Sequence, residues 1–508
     1  MPLPLPNSTW PPPAVVSAYK AYEENDVWFA GDKQRIAEFY RGKAENERDR
    51  PSLSSRMWAQ ARRLDERERR MHLPLAGDIA GTSADLLFSE PPSLTVEQPE
   101  TQERLNEIIE QGGVDMRLLE AAEVCAGIGD VYLKLAWDVE QVGPRPIIAV
   151  EHGDAAIPTW RWGRLQEVTF WREVVRDGNT VWRLLEHHEP GAIIYGLFEG
   201  DPGKLGQRRD LTALPETAGL AEVADADGVQ ATGIAPLLTA THIPNMRPNR
   251  ALRGTAFGRS DYAAPIYDLF DSLDLTWTSW IRDLRLGRAR LIVPKGYLQP
   301  VGGPGEGATW DADREVWAEL DMDPSAQGGG ITLSQFAIRV AEHQVTAESA
   351  VVQAVRSAGY SAQTFGLAGD VGATATEVNA RERRTMTTRD RKGRYWSPAL
   401  SRIFEAALAL DRAMGWSAVE PEQPTVEFPP AVSQDPESMG RTLQLLEAAA
   451  AVSTDTKVRM LHPDWENPAV EEEVARIHGD RPAPPALPGL DDLGLGGAPN
   501  DPPPDPAE

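Results

Sequence analysis

Cysteine is almost absent from this sequence: Cys125 is the only one in 508 residues. A single thiol excludes an intrachain disulfide and a cysteine-based zinc site, and it fits synthesis in a reducing cytoplasm. Long apolar runs are also missing, since no stretch approaches the roughly 20 residues that a membrane-spanning helix needs. The start of the chain, MPLPLPNSTWPPP, has neither the basic residues nor the apolar core of a signal peptide. We therefore expect a protein made in the cytoplasm that has no membrane partner.

Basic residues are scarce relative to acidic ones. The 51 Lys and Arg residues face 77 Asp and Glu residues, which gives a formal net charge of −26 at pH 7. This charge argues against a protein that grips nucleic-acid phosphates over its whole surface, but not against one past which DNA slides. Hydrophobic residues at 41% and charged residues at 25% are ordinary globular values, so the chain can bury more than one core.

The common catalytic motifs are missing as well. The sequence contains no GxxxxGK(S/T) phosphate loop, no HExxH and no GxSxG, and the glycines of 302–307 lack a strand–helix context. His187 and His188 are adjacent in a strand-like run, so their side chains point to opposite faces and cannot share one metal ion. We therefore expect no enzyme activity, no catalytic residue, no cofactor and no metal.

Two kinds of hydrophobic spacing predict an α+β fold. Alternating apolar residues after Asp130 and around the turn at 177–179 are typical of strands and a hairpin. Spacings of three and four predict a long helix over 262–286, N-capped by Ser260 or Asp261, and a second helix over 346–357. The apolar stripe of the long helix consists of Ile266, Phe270, Leu273, Trp277, Trp280, Ile281 and Leu284. Such a stripe needs a partner, either the chain's own core or a neighbouring subunit, and we favour the subunit.

One segment departs from the acidic balance. The long helix predicted from about residue 376 contains a basic run: Arg381, Arg383, Arg384, Arg389, Arg391, Lys392 and Arg394. Three interpretations stay open for it. The run contacts an acidic neighbouring subunit, or it contacts DNA phosphates, or it is a solvated helix face with internal ion pairs.

The order of several short blocks resembles the portal proteins of tailed bacteriophages, of the siphophage type found in actinobacterial phages. The blocks at the N-terminal side are STWPPP at 8–13, HLPLA at 72–76 and ADLLFSEP at 84–91. Further along, IPN at 243–245 and GRSDY at 258–262 resemble the entry to the first stem helix of that family. TFGL at 364–367 and ATATEV at 373–378 are similar to the segment around its tunnel loop. The matching blocks are spread over most of the chain.

The resemblance implies a portal fold with an α/β wing, a two-helix stem, a small β-containing clip, a tunnel loop with a long helix, and a helical crown. Its parts would occupy consecutive ranges of this sequence: 1–259 wing, 260–287 first stem helix, 288–344 clip, 345–365 second stem helix, 366–375 tunnel loop, 376–434 long helix and wing return, and 435–480 crown. The tunnel-loop residues that would face DNA are Ala368, Gly369, Asp370, Val371, Gly372, Ala373 and Thr374. The remaining range, 481–508, is rich in Pro and Gly, and we expect it to be disordered.

The resemblance also implies a function. The chain would form a homo-oligomeric ring, a dodecamer, at a unique vertex of the capsid, where double-stranded DNA passes through the channel during packaging and ejection. Its protein partners would be the major capsid protein, the scaffolding protein, the terminase large subunit and the head–tail connector or adaptor protein. It would be assembled in the host cytoplasm and remain in the virion. The alternative is another phage head or connector structural protein without a DNA channel.

Overall fold

The computed structural model describes residues 3–48, 71–287, 290–294, 316–320, 332–334, 338–367, 375–429, 436–449, 451–462, 465 and 467–480. The chain divides into two units, residues 1–431 and residues 432–508. The first unit contains eleven helices: α1 Pro13–Ala30, α2 Lys33–Arg48, α3 Leu75–Phe88, α4 Pro99–Gly112, α5 Val114–Ile128, α6 Val139–Val142, α7 Pro215–Ala218, α8 Leu220–Val223, α9 Tyr267–Leu286, α10 Val340–Ala358 and α11 Ala375–Ala413, counted within the described residues.

The strands of the first unit form separate sheets, and most neighbours are antiparallel. In chain order they are β1 Ser93–Thr95, β2 Asp130–Ala136, β3 Ile147–His152, β4 Ala156–Arg161, β5 Arg164–Asp177, β6 Thr180–Glu189, β7 Ala192–Asp201, β8 Lys204–Arg209, β9 Val229–Ala231, β10 Ala240–Pro244, β11 Arg290–Pro294, β12 Val316–Leu320, β13 Thr332–Ser334 and β14 Thr425–Glu427. The largest sheet has the order β4-β5-β6-β7-β8, with β9 beside β7. Two three-stranded sheets have the orders β10-β2-β3 and β12-β11-β13, and β1 pairs with β14. This mixture of helices and antiparallel sheets confirms the α+β prediction.

The hairpin predicted at 177–179 is confirmed, since Asp177 at the end of β5 pairs with Thr180 at the start of β6. The adjacent histidines of β6 have separate partners, as their positions on opposite faces require. His187 Nδ1 lies 2.8 Å from Thr169 Oγ1, and His188 Nδ1 lies 2.6 Å from Thr239 Oγ1. Both rings are buried in the sheet.

The larger core is built around the second half of α11. Residues 399–410 are rich in alanine and leucine, which favour a helix, and α11 continues through Pro398. Trp396 packs edge-on against Phe88 of α3, with ring centroids 4.8 Å apart. Leu400 and Phe404 of α11 are also fully buried, in the same cluster as residues of α4, α5 and β2. This core packs the second half of α11 against α3, α4, α5 and β2.

A second core fixes the two helices that the sequence placed in the stem. Trp28 of α1 is surrounded by aromatic rings, with its ring centroid 5.6 Å from that of Tyr267 and 5.4 Å from that of Phe270. Val355 and Ala358 of α10 complete the cluster. The N-terminal part of α9 and the C-terminal part of α10 are therefore packed into the chain's own core.

Within its described residues the second unit contains three helices: α12 Pro436–Ala448, α13 Thr454–Leu461 and α14 Asn467–Asp480. Ser453 caps α13, because its hydroxyl oxygen accepts a hydrogen bond of 3.2 Å from the backbone N–H of Thr456. Val458 and Val470 are its buried apolar side chains among the described residues. The predicted Pro- and Gly-rich tail at 481–508 lies outside the described residues.

Candidate assembly site

The helices α9 and α10 form an antiparallel pair. The far end of this pair is where α9 ends and α10 begins. There the carboxylate of Asp283 on α9 accepts hydrogen bonds from Arg339 at 3.0 and 3.2 Å, and its Oδ2 lies 2.9 Å from His343 Nε2. At the other end, Asp261 before α9 meets Tyr360 after α10. Contacts at both ends show that the chain leaves along α9 and returns along α10. Between them come the strands β11, β12 and β13.

The predicted stripe of α9 changes its environment along the helix. Ile266, Phe270 and Leu273 are 4%, 2% and 2% exposed, because the chain's own second core surrounds them. These three side chains therefore have almost no surface left to offer a neighbouring subunit, and the subunit contact expected of the stripe stays a prediction. The helix itself starts at Tyr267, five residues later than predicted, and ends at Leu286 as predicted.

The distal part of the stripe is more open. Trp277, Trp280 and Ile281 are half-buried, and Leu284 is exposed. The two tryptophan rings are 5.0 Å apart, and the ring of Trp280 stacks on that of His343 with an interplanar angle of 11°. The contact between Trp280 and His343 joins α9 to α10, and part of each tryptophan side chain stays on the surface.

The salt link at the far end of the pair is electrostatically favourable. Hydrogen bonds from His343 and Arg339 hold the pKa of Asp283 below its usual range, because both stabilise the ionised carboxylate. This link could not be predicted from the sequence, since its members lie on either side of the long insertion between α9 and α10.

A second set of polar contacts holds α9 against the segment before α3. The carboxylate of Asp274 lies 2.8 Å from His72 Nδ1 and accepts a 3.0 Å hydrogen bond from the backbone N–H of Leu73. The hydroxyl of Thr278, one turn further along α9, accepts a hydrogen bond of 2.9 Å from the backbone N–H of Met71. The block HLPLA at 72–76 thus contacts the predicted stem helix directly.

The polar group that we call the base cluster lies where α9 begins and α10 ends, and it consists of Asp261, Tyr360, Lys392, Asn245 and Ser83. Asp261 Oδ2 accepts hydrogen bonds from Lys392 Nζ at 2.6 Å and from Tyr360 Oη at 2.7 Å. Its other oxygen, Oδ1, accepts one of 2.8 Å from Asn245 Nδ2. Lys392 also contacts the hydroxyls of Ser83 and Tyr360. The cluster therefore joins α3, α9, α10 and α11 at one point.

The base cluster is buried, so its charges are protected from water. The side chains of Asp261 and Lys392 are 0% and 2% exposed. The pKa of Tyr360 is raised well above its ordinary value, first because of burial and then because of the nearby Asp261 carboxylate. Such a pair stabilises the fold only while both partners are present. The predicted N-cap, Ser260 or Asp261, is also wrong, since Ile266 occupies the position before α9 and Asp261 binds Lys392 and Tyr360 instead.

The basic run on α11 is divided between the interior and the surface. Lys392 belongs to the base cluster, and Arg389 is buried with its guanidinium donating hydrogen bonds of 2.6 Å to the carbonyls of Leu86 and Pro429. These two side chains are therefore engaged within the chain itself, and the three interpretations of the run concern its exposed members. Arg383, Arg384, Arg391 and Arg394 are exposed. The side chain of Arg381 lies outside the described residues.

The residues of the predicted tunnel loop that were expected to face DNA, Ala368 to Thr374, also lie outside the described residues. The described chain stops at Leu367, just after a left-handed Gly366, and resumes at Ala375 with α11.

No group of metal-ligating side chains occurs within the described residues. In the same residues, no helix contains an apolar segment of the length that spanning a bilayer requires.

The comparisons with known proteins gave structural similarities only. No protein-family model matches the sequence, and no curated protein matches it. Among solved structures, the chain is similar to one titled the virion of a native gene transfer agent particle, at 15% identity and a TM-score of 0.38, with 90% of this chain and 96% of that chain covered. It is also similar to the neck of the native particle computed with C12 symmetry (15% identity, TM-score 0.36, 76% and 89% covered). A third is the neck of the empty particle computed with C6 symmetry (15% identity, TM-score 0.40, 90% and 95% covered).

Proposed function

We propose that this chain is the portal subunit of a tailed phage, which forms a ring at one capsid vertex and provides the channel for DNA packaging and ejection. The observation that carries the proposal is the excursion from α9 through β11–β13 to α10, which leaves from and returns to the base cluster. A two-helix stem with a small β-containing clip has this form. The excursion also lies between the sequence blocks at 258–262 and 364–367 that resemble the portal family.

Exposed apolar side chains on the helix pair support contact between neighbouring subunits. Leu275 and Leu284 of α9 are 50% and 42% exposed, and Val345 of α10 is 65% exposed. A closed ring would cover such residues, because each subunit meets its neighbour through the same pair of surfaces. The half-buried Trp277 and Trp280 would add aromatic area to this contact.

The net charge of the chain is consistent with a channel that neither binds DNA strongly nor drives its movement. With a net charge of −26, the ring would repel the phosphate backbone, so that DNA could move without strong binding sites. The work of packaging would belong to the terminase, which would dock on the clip before the connector proteins replace it. In this proposal the subunit is not an enzyme. It assembles with the scaffolding protein and the major capsid protein in the host cytoplasm and stays in the virion.

The proposed tunnel loop can be tested through two of its glycines. We expect Gly369→Val and Gly372→Val to permit ring assembly but to lower the number of DNA-filled heads by about tenfold or more, because a stiff β-branched residue restricts a loop that must follow the duplex. The measurement is a count of filled and empty heads by electron microscopy in particles assembled with each variant.

Gly219→Val is the matched control, since Gly219 is exposed with a negative φ and its added Cβ would meet nothing within 4 Å. Filled heads at the normal number with both loop variants would contradict the tunnel-loop assignment. A similar loss of filled heads with Gly219→Val would show that the count responds to impaired folding and not to a change in the loop.

A further inference from the structure

A concave pocket of about 320 Å³ lies between the start of β5, the end of β10 and the middle of α11. We call it the arginine groove. Four arginines line it: Arg164, Arg247, Arg394 and Arg402. Arg164, Arg394 and Arg402 are exposed at the surface, and Arg247 is half-buried. They come from three separate parts of the chain, and the fold brings them together.

The arginine groove has an unbalanced positive charge in a strongly acidic protein. None of the described residues that line it carries a carboxylate. Arg391 adds a further guanidinium beside it, since it donates a hydrogen bond to the carbonyl of Arg247. The pKa of Arg402 is lowered, first by burial and then by the charge of Arg164. Like charges gathered in this way cost free energy, and a bound anion would recover it.

The shape of the groove selects among anions. Its wall includes apolar side chains, Leu165, Leu237 and Ile403, and the rings of Trp160 and Tyr395. Duplex DNA is stiff and presents its phosphates on a convex surface, so it could touch the rim but would leave this apolar wall uncovered. A peptide with a carboxylate next to an apolar side chain would match both the arginines and the apolar wall of the groove. Its carboxylate would pair with guanidinium groups while its apolar group fills the recess.

We propose that the arginine groove receives an acidic segment, with an apolar residue beside its carboxylates, from a second copy of this chain. Charge complementarity supports this occupant, because every copy carries a large excess of carboxylates outside the groove. The inference rests on the proposed ring. A ring needs two different surfaces on each subunit, one fitting the other, and the groove would be one of them.

Cross-linking identifies the occupant directly. A photoreactive phenylalanine derivative replaces Tyr395, and equal amounts of unlabelled and isotope-labelled chains are mixed, assembled and irradiated. We expect adducts between unlabelled and labelled chains, at a peptide rich in Asp or Glu. Adducts within single chains only, adducts with added duplex DNA only, or no adduct between chains would each overturn the proposal.

Charge reversal tests the contribution of the arginines. We expect the double variant Arg164→Glu/Arg394→Glu to weaken self-association by about a hundredfold, because each reversal removes a charge-assisted hydrogen bond and adds repulsion. The matched control is Arg172→Glu/Arg253→Glu, which makes the same charge change at exposed positions outside the groove and outside the basic run of α11. Light scattering over a range of protein concentrations gives the dissociation constants.

The outcomes separate this inference from the proposed function. Rings that form equally well with the groove variant would overturn the groove assignment and leave the portal proposal standing. An equal loss of self-association in the groove variant and its control would also overturn the groove assignment, since the effect would then depend on net charge and not on the position of the arginines. A wild-type chain that stays monomeric at every concentration would exclude a second copy as the occupant, while DNA packaging in particles would still decide the portal function.

Discussion

Lys392→Met is expected to lower the free energy of unfolding by about 4 kcal/mol, because it leaves the buried carboxylate of Asp261 without its cation. Methionine keeps much of the apolar stem of lysine, so the loss reports mainly the missing charge and its hydrogen bonds. Urea denaturation followed by circular dichroism measures it. The same change at Arg383, an exposed cation on the same helix, is the control and is expected to cost less than about 0.5 kcal/mol.

A second variant makes the interpretation specific. If Asp261 and Lys392 act as a pair, Lys392→Met/Asp261→Asn is expected to be less destabilised than the sum of the two single variants, since no unpaired charge remains. Additive losses would show that the two side chains act independently. A loss below about 1 kcal/mol for Lys392→Met alone would contradict the account of the base cluster as the point that holds the two helices.

Trp28→Ala is expected to cost about 4 kcal/mol, because the indole is only 1% exposed and fills the space between α1 and α9. Its removal would leave a cavity beside Tyr267 and Phe270, so the anchored part of α9 would loosen. We expect less ring assembly at a given protein concentration as well as a lower midpoint in urea.

The control for this variant is Trp162→Ala, because Trp162 is 93% exposed at a turn between β4 and β5. We expect it to leave the free energy of unfolding within about 0.5 kcal/mol of that of the wild-type chain. Equal losses for the two tryptophans would contradict the role given to Trp28.

The sequence predicted those elements whose signals are local. The period of three and four along α9 is visible in the chain, and so is the hairpin turn at 177–179, because both depend on neighbouring residues. The predicted N-cap at Asp261 was wrong for a physical reason. A carboxylate before a helix is typical of an N-cap, but here its partners are Lys392 and Tyr360, which are distant in sequence.

Charge runs were harder to interpret than periodicity. The basic run on α11 looks uniform in the sequence, yet the helix turns Lys392 and Arg389 into the interior and leaves Arg394 on the surface. The arginine groove could not be found from the sequence, because Arg164 and Arg247 lie far from α11 along the chain. The apolar stripe of α9 was visible as a pattern, but only the packing shows that Phe270 faces the chain's own core.

The central claim is that copies of this chain close into a ring around a channel. Light scattering with negative-stain images of the same sample tests it most directly, with and without the scaffolding protein. The account predicts closed rings with a central hole and the mass of a dodecamer of the 55.7 kDa chain. Open filaments, or a monomer in both samples, would contradict it.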